Sequence, residues 1–98
     1  MKLYIDTATH NKIVIGINDK RFEAITKEKS SQQLLPFIHE TLMKNKFKLD
    51  DINEIEVNTG PGSFTGLRVG VAVANALGWA LNVEVNVKKA GGAIEINY

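Results

Sequence analysis

A chain of 98 residues with net charge +1 is long enough for one domain with a modest core, and it carries no global electrostatic footprint for nucleic acid. Apolar residues at 44% and charged residues at 23% lie near the globular average, which argues against disorder. Cysteine is absent, so disulfides, thiolate chemistry and cysteine-zinc sites are excluded.

The first residues, Met1 to Asp6, meet an acid too soon for a signal peptide. The one long apolar run, Leu67 to Leu81, is interrupted by Arg68 and Asn75 and falls short of the roughly 20 residues of a bilayer span. The expectation is a soluble cytoplasmic chain with no membrane partner. Lys44, Lys46 and Lys48 cluster, as do Lys88 and Lys89, and both groups read as solvated surface charge.

Alternation predicts a first strand over Lys2–Asp6, with Leu3 and Ile5 on one face. A polar turn follows from Asp6 to Asn11. A second strand runs from Lys12 to Asn18, where Ile13, Ile15 and Ile17 alternate with Val14 and Gly16; both faces are apolar, which predicts cover on both sides. Asn18-Asp19 predicts a hairpin turn, because both residues tolerate left-handed backbone. The third strand, Arg21 to Lys27, sets Phe22, Ala24 and Thr26 against Ile25. Three strands on short turns make an antiparallel meander.

The period then changes to that of a helix. Ser30 or Ser31 suits an N-cap, and Leu34, Leu35, Ile38, Leu42 and Met43 form an apolar stripe ending near Lys46. Pro36 fits only near the first turn, or kinks the helix. Glu54 to Asn58 returns as a strand that can pair in parallel with the first through a crossover. A second helix spans Thr65 to Leu81, and a last strand pattern covers Val83 to Val87. Ala90-Gly91-Gly92-Ala93 predicts a hairpin turn that folds Ile94, Ile96 and Tyr98 back at the sheet edge. The expected class is α/β, a mixed sheet of β-β-β-α-β-α-β order with a short C-terminal hairpin.

The second helix has only Arg68, Asn75 and the Trp79 N–H as polar side-chain groups, where a surface helix would show a broad polar face. Gly66, Gly70, Ala74 and Gly78 recur every four residues as a flat ridge. Glycine in a helix costs about 1 kcal/mol relative to alanine, so close packing must compensate. The ridge fits either a partner chain, which is the favoured reading, or this chain's own sheet and first helix.

Gly60-Pro61-Gly62-Ser63-Phe64-Thr65-Gly66 stands between strand and helix, where backbone N–H groups can cradle an anion. A P-loop is excluded, since no Gly-Lys-Ser/Thr ending follows. The favoured reading is a rigid corner that aims the second helix. Ser63 has no convincing base, because His10 and His39 are the only histidines and form no constellation with it. Those two also lack the His-Glu-x-x-His spacing of a zinc protease. No catalytic residue and no metal ligand are assigned.

The run from Gly60 to Gly70, Gly60-Pro61-Gly62-Ser63-Phe64-Thr65-Gly66-Leu67-Arg68-Val69-Gly70, resembles the signature of the bacterial TsaB (YeaZ) family of tRNA threonylcarbamoyladenosine biosynthesis proteins, historically grouped with glycoprotease-like proteins. The likeness extends to Ile5-Asp6-Thr7-Ala8-Thr9 and to Ser31, Leu34, Leu35 and Pro36, and covers residues 1 to about 85. Ser30 stands where the family often has histidine.

The resemblance implies an actin-like ATPase (ribonuclease H-like) lobe. It implies a non-catalytic subunit that binds and activates a TsaD-like catalytic subunit as a heterodimer, with a TsaE-like ATPase in the larger assembly and tRNA met indirectly. Alone, such a subunit pairs with itself. Family members usually carry two lobes, so the expectation is a single first lobe over residues 1–98 without the second. Family pairing uses both helices of that lobe. The interface expectation is Leu34, Leu35, Ile38, Leu42, Leu67, Gly70, Val71, Ala74, Leu77 and Gly78. Actin-like folds place an acid for magnesium and phosphate at the end of the first strand. Asp6, Thr7, Gly60, Gly62 and Ser63 are therefore candidate nucleotide contacts. No cofactor is expected; a magnesium-ATP site is the alternative.

Overall fold

The computed structural model describes residues 1–26 and 30–86. Along the chain run β1 (Lys2–Asp6), β2 (Lys12–Ile17), β3 (Lys20–Ile25), α1 (Ser30–Lys44), one 3-10 turn (Leu49–Asp51), β4 (Glu54–Val57) and α2 (Phe64–Leu81). The sheet order is β3-β2-β1-β4. The β1–β2 and β2–β3 pairs are antiparallel, and β1–β4 is parallel, with Leu3 beside Ile55 and Ile5 beside Val57. The meander and the crossover thus match the alternation of the sequence. Asn18 takes φ 53° in the β2–β3 turn, the left-handed backbone that asparagine tolerates.

One face of the sheet carries the core. Leu3, Ile5, Ile13, Ile15 and Ile55 are fully buried, and Ile17 and Val57 nearly so. Burial of each such side chain contributes roughly 2 kcal/mol. Leu34, Ile38 and Leu42 reach this core from α1, and Val71, Ala74 and Leu77 from α2. The α1 stripe divides there, since Leu35 and Met43 remain exposed. Pro36 lies inside the helix, beyond its first turn. The ends of both helices are marked by a left-handed residue, Lys46 (φ 63°) and Asn82 (φ 57°). Behind them the Phe47 N–H donates to the Leu42 carbonyl at 2.9 Å and the Val83 N–H to the Gly78 carbonyl at 2.8 Å.

The other sheet face corrects the expectation that β2 is covered on both sides. Its registered rows place Tyr4 beside Gly16, and Gly16 beside Arg21. Arg21 lies across Gly16 and stands 4.5 Å from the Tyr4 ring centroid, so Gly16 is buried by a side chain of its own sheet. Lys2 pairs with Glu56 at 2.6 Å and Glu54 at 3.6 Å, and Lys12 pairs with Glu23 at 3.0 Å. A face laced with exposed ion pairs needs no second layer, and such pairs contribute little to stability.

Tyr4 donates from its hydroxyl to Asp6 Oδ2 at 3.2 Å. Burial, and then the neighbouring Asp6 carboxylate, push its pKa up to about 12. The folded value lies above the unfolded one near 10, so this contribution is complete below pH 10 and is lost as pH rises towards 12. The Lys2 ammonium is also held above its usual range by its hydrogen bond to Glu56, so two groups shape the alkaline limb. Tyr4→Phe is expected to flatten the loss of stability above about pH 10, read as urea midpoints across that range.

Among the described residues the final strand pattern is realised as a single parallel bridge of Val85 to Ile55, after which Asn86 takes φ 49°; Val87 lies outside them. Two registered ladder residues need a continuing extended backbone, which Asn86 interrupts. The expected hairpin from Ala90 onward lies outside the described residues. The length of α2, 18 residues with mean hydropathy 1.3, meets the minimum for a bilayer span by length and composition, contrary to the reading of that run as too short. Here it is seated on the sheet.

Candidate functional site

The parallel strands β1 and β4 end side by side, so the loops that follow them meet at one edge of the sheet. Asp6 closes β1. Its Oδ1 accepts from the Ala8 N–H at 3.0 Å and from Asn58 Nδ2 at 3.2 Å, while Oδ2 accepts from Tyr4. The other end of the Asn58 carboxamide, Oδ1, accepts from the Gly60 N–H at 3.0 Å. The carboxylate thus ties both loops together through local donors.

The glycine stretch is bound to the same frame. The Ser63 N–H donates to the Ala8 carbonyl at 2.8 Å, and Ser63 Oγ caps α2 by accepting from the Gly66 N–H at 3.4 Å. Thr7, only 2% exposed, donates its hydroxyl to the Gly66 carbonyl at 2.5 Å. A Cβ on Gly62 would lie 2.6 Å from that of Ala8, and one on Gly66 would overlap the Thr7 carbonyl oxygen. The stretch is therefore glycine because the β1 loop lies against it. Of the candidate phosphate contacts, Gly60 and Ser63 already spend their N–H groups, Thr7 is buried beneath the helix, and Asp6 is engaged as an acceptor by Tyr4, Ala8 and Asn58. The structure brings Asp6, Thr7, Gly60, Gly62 and Ser63 together, as the sequence suggested. It joins them as a corner in which the Gly60, Ser63 and Gly66 N–H groups serve the chain itself. Asn58, the residue that links both loops, was missed; its signal was only a polar residue directly after a strand.

The ridge on α2 faces inward. A Cβ on Gly70 would overlap the Thr7 hydroxyl, and one on Gly78 would stand 2.5 Å from Val85 Cγ2 and 3.0 Å from the Val83 carbonyl oxygen. This corrects the assignment of the ridge to a partner. Leu34, Ile38, Leu42, Leu67, Val71, Ala74 and Leu77 are likewise buried within the chain, together with Gly70 and Gly78, so none of them offers side-chain surface to a partner. Of the expected interface only Leu35, at 48% exposure, is on the outside.

A different row of the same helices is exposed. On α2 it comprises Phe64, Arg68, Ala72, Ala76 and Trp79, spaced three or four apart, and Trp79 is 75% exposed. Arg68 is the only charge in the row, and its guanidinium lies 5.4 Å from the Phe64 ring centroid. On α1 the exposed positions Leu35, His39 and Met43 repeat every four residues. Both helices follow strands of the same direction and cover the same sheet face, so both rows point away from the sheet. The rows expose Leu35 and Met43 on α1 and Phe64 and Trp79 on α2, beside the polar His39 and Arg68 and the Glu40–Lys44 ion pair of α1; clustered large apolar side chains of this kind mark interaction sites. Spacing in the sequence held the signal for Trp79, since Arg68, Ala72, Ala76 and Trp79 share one side of a helix.

Comparison with known proteins agrees with the local motifs. A family model described as TsaD, tRNA N6-adenosine threonylcarbamoyltransferase, matches residues 21–90. The tRNA threonylcarbamoyladenosine biosynthesis protein TsaB of Escherichia coli K12 is 39% identical over 87 residues, covering 85% of this chain and 36% of that protein. TsaB of Bacillus subtilis 168 is 35% identical over 60 residues, covering 61% of this chain and 26% of its own length. The solved structure of YeaZ from Pseudomonas aeruginosa superposes with a TM-score of 0.72 at 26% identity, over 86% of this chain and 41% of that one. The chain spans well under half the length of these relatives. With the family model covering most of its length and TsaB and YeaZ proteins among its relatives, the chain belongs to the TsaB (YeaZ) family, within the family that the TsaD model describes.

Proposed function

We propose that this chain acts as a non-catalytic subunit in tRNA threonylcarbamoyladenosine formation, binding and activating a TsaD-like catalytic subunit. The sheet and its two helices are read as one actin-like lobe. The observation that carries the proposal is the outward surface of α1 and α2, on which Leu35, Met43, Phe64 and Trp79 are exposed around a row holding the single charge of Arg68. Burying such large side chains against a second helical surface offsets their exposure to water, and aromatic residues of this kind are common anchors of interfaces. The catalytic paralogue is the proposed partner, with a second copy of this chain in its absence. A TsaE-like ATPase joins the larger assembly, tRNA is met through the catalytic subunit, and the setting is cytoplasmic. Co-purification with the TsaD-like subunit tests this; failure of a folded chain to associate would overturn it.

The alternative of a magnesium-ATP site is weighed down by the glycine corner. The Gly60, Ser63 and Gly66 N–H groups donate within the chain, and phosphate oxygens would have to displace Asn58, the Ala8 carbonyl and Ser63 Oγ. Calorimetric titration with magnesium-ATP is expected to give no binding heat. Saturable heat that disappears in Asp6→Asn would reverse that reading.

A further inference from the structure

β4 ends the sheet on its side among the described residues, so its outer edge presents main-chain groups that need partners. At Ile55 a strand supplies them: the Ile55 N–H donates to the Glu84 carbonyl at 3.1 Å, and the Ile55 carbonyl accepts from the Asn86 N–H at 2.9 Å. Two residues on, Val57 presents the next such pair. There Asn86 has turned into the left-handed region, φ 49°, and among the described residues no main-chain group outside the β1–β4 ladder meets Val57. Its side chain does instead. Asn86 Oδ1 accepts from the Val57 N–H at 2.8 Å, and Asn86 Nδ2 donates to the Val57 carbonyl at 3.0 Å.

A primary carboxamide carries one acceptor and one donor side by side, as a neighbouring peptide strand would present them. The donor and acceptor of Val57 are fixed by the backbone, so they also fix which end of the amide is oxygen. Val57 is 3% exposed, where unpaired main-chain groups are costly. A shallow groove of about 340 Å³ lined by Lys2, Glu54, Ile55, Glu56, Val57 and Asn86 runs along the same edge. Past Ile55, the carboxamide is, among the described residues, the group that occupies the place of a ladder.

We infer that Asn86 is an edge plug: its carboxamide completes β4 at Val57 and bars the strand of a second copy of this chain from adding to the sheet there. This inference is independent of the docking role assigned to the outward rows of α1 and α2: the Val57–Asn86 pairing lies at the sheet edge, and α2 meets that edge through its inward Gly78. The plug works because asparagine combines a peptide-like amide with tolerance of left-handed backbone, which the turn at residue 86 requires.

The test uses the full chain with Asn86→Gly, which keeps the left-handed turn and removes only the amide. Hydrogen exchange followed by NMR is expected to show the Val57 N–H exchanging at least about tenfold faster, with the Ile55 N–H unchanged. Sedimentation is expected to show larger, concentration-dependent species beyond those of the parent chain. In the parent chain a scalar coupling across the hydrogen bond should link the Val57 nitrogen to the Asn86 carboxamide carbon, a measurement that needs no variant to fold. Absence of that coupling, or unchanged Val57 exchange in a folded Asn86→Gly chain, overturns the plug. Faster exchange without new self-association overturns its role in barring a second strand.

Discussion

Gly66→Ala is expected to destabilise the fold by about 2–3 kcal/mol, although alanine is the better helix former by about 1 kcal/mol. The two effects have opposite signs, so the measurement decides between them. The new methyl would overlap the Thr7 carbonyl oxygen, a main-chain atom at the end of β1. That atom cannot rotate aside as a side-chain tip would. Relief requires α2 to lift, which breaks the hydrogen bond from the Thr7 hydroxyl to the Gly66 carbonyl and uncovers Ile5 beneath Gly70. The outward position Ala76 provides the contrast. Ala76→Gly there is expected to cost about 1 kcal/mol, the propensity difference alone. Urea unfolding of both variants checks the pair. A stabilised Gly66→Ala chain would mean that α2 does not rest on the β1 loop as described.

Trp79→Ala and Ala76→Glu are the second pair with a large expected effect, this time on association. Both side chains are exposed on α2, so stability should stay within about 0.5 kcal/mol of the parent. Binding to the catalytic subunit should weaken by about 30-fold or more for Trp79→Ala, the loss of a 2 kcal/mol anchor. Ala76→Glu places a carboxylate in an apolar contact surface, where a desolvated and unpaired charge opposes docking. Substitutions on the inward ridge are uninformative here. A large residue at Gly70 or Ala74 breaks the seat of α2 on its own sheet, and lost binding would then report lost folding.

The strands were legible because alternation is local. Ile13, Ile15 and Ile17 name their face without knowledge of what covers it, and the structure buries all three. Both helices were legible from their period, and the glycine corner from its composition. The direction of the small-residue ridge was not. Gly70, Ala74 and Gly78 permit close approach of any backbone, and what approaches is decided by Thr7, far away in sequence, and by Val85, which the chain returns to Gly78 just after the helix ends. Small residues specify a distance and leave the partner open. The same limit hid the roles of asparagine: Asn58 and Asn86 act through hydrogen bonds to loops and an edge that only the folded register brings near. Val14 and Gly16 misled in the opposite direction. Their apolar character suggested a second covering layer, whereas the Arg21 side chain provides the cover over Gly16.

The outward surface of α1 and α2 is the centre of the functional proposal, and one experiment reaches it most directly. The parent chain, Trp79→Ala, Ala76→Glu and Asn86→Gly are each mixed with the TsaD-like catalytic subunit and sedimented, with circular dichroism confirming that each is folded. The expected result is a stoichiometric complex for the parent chain and for Asn86→Gly, and its loss for Trp79→Ala and Ala76→Glu. Equal complex formation by all four chains, or none by the folded parent, would contradict docking through this face.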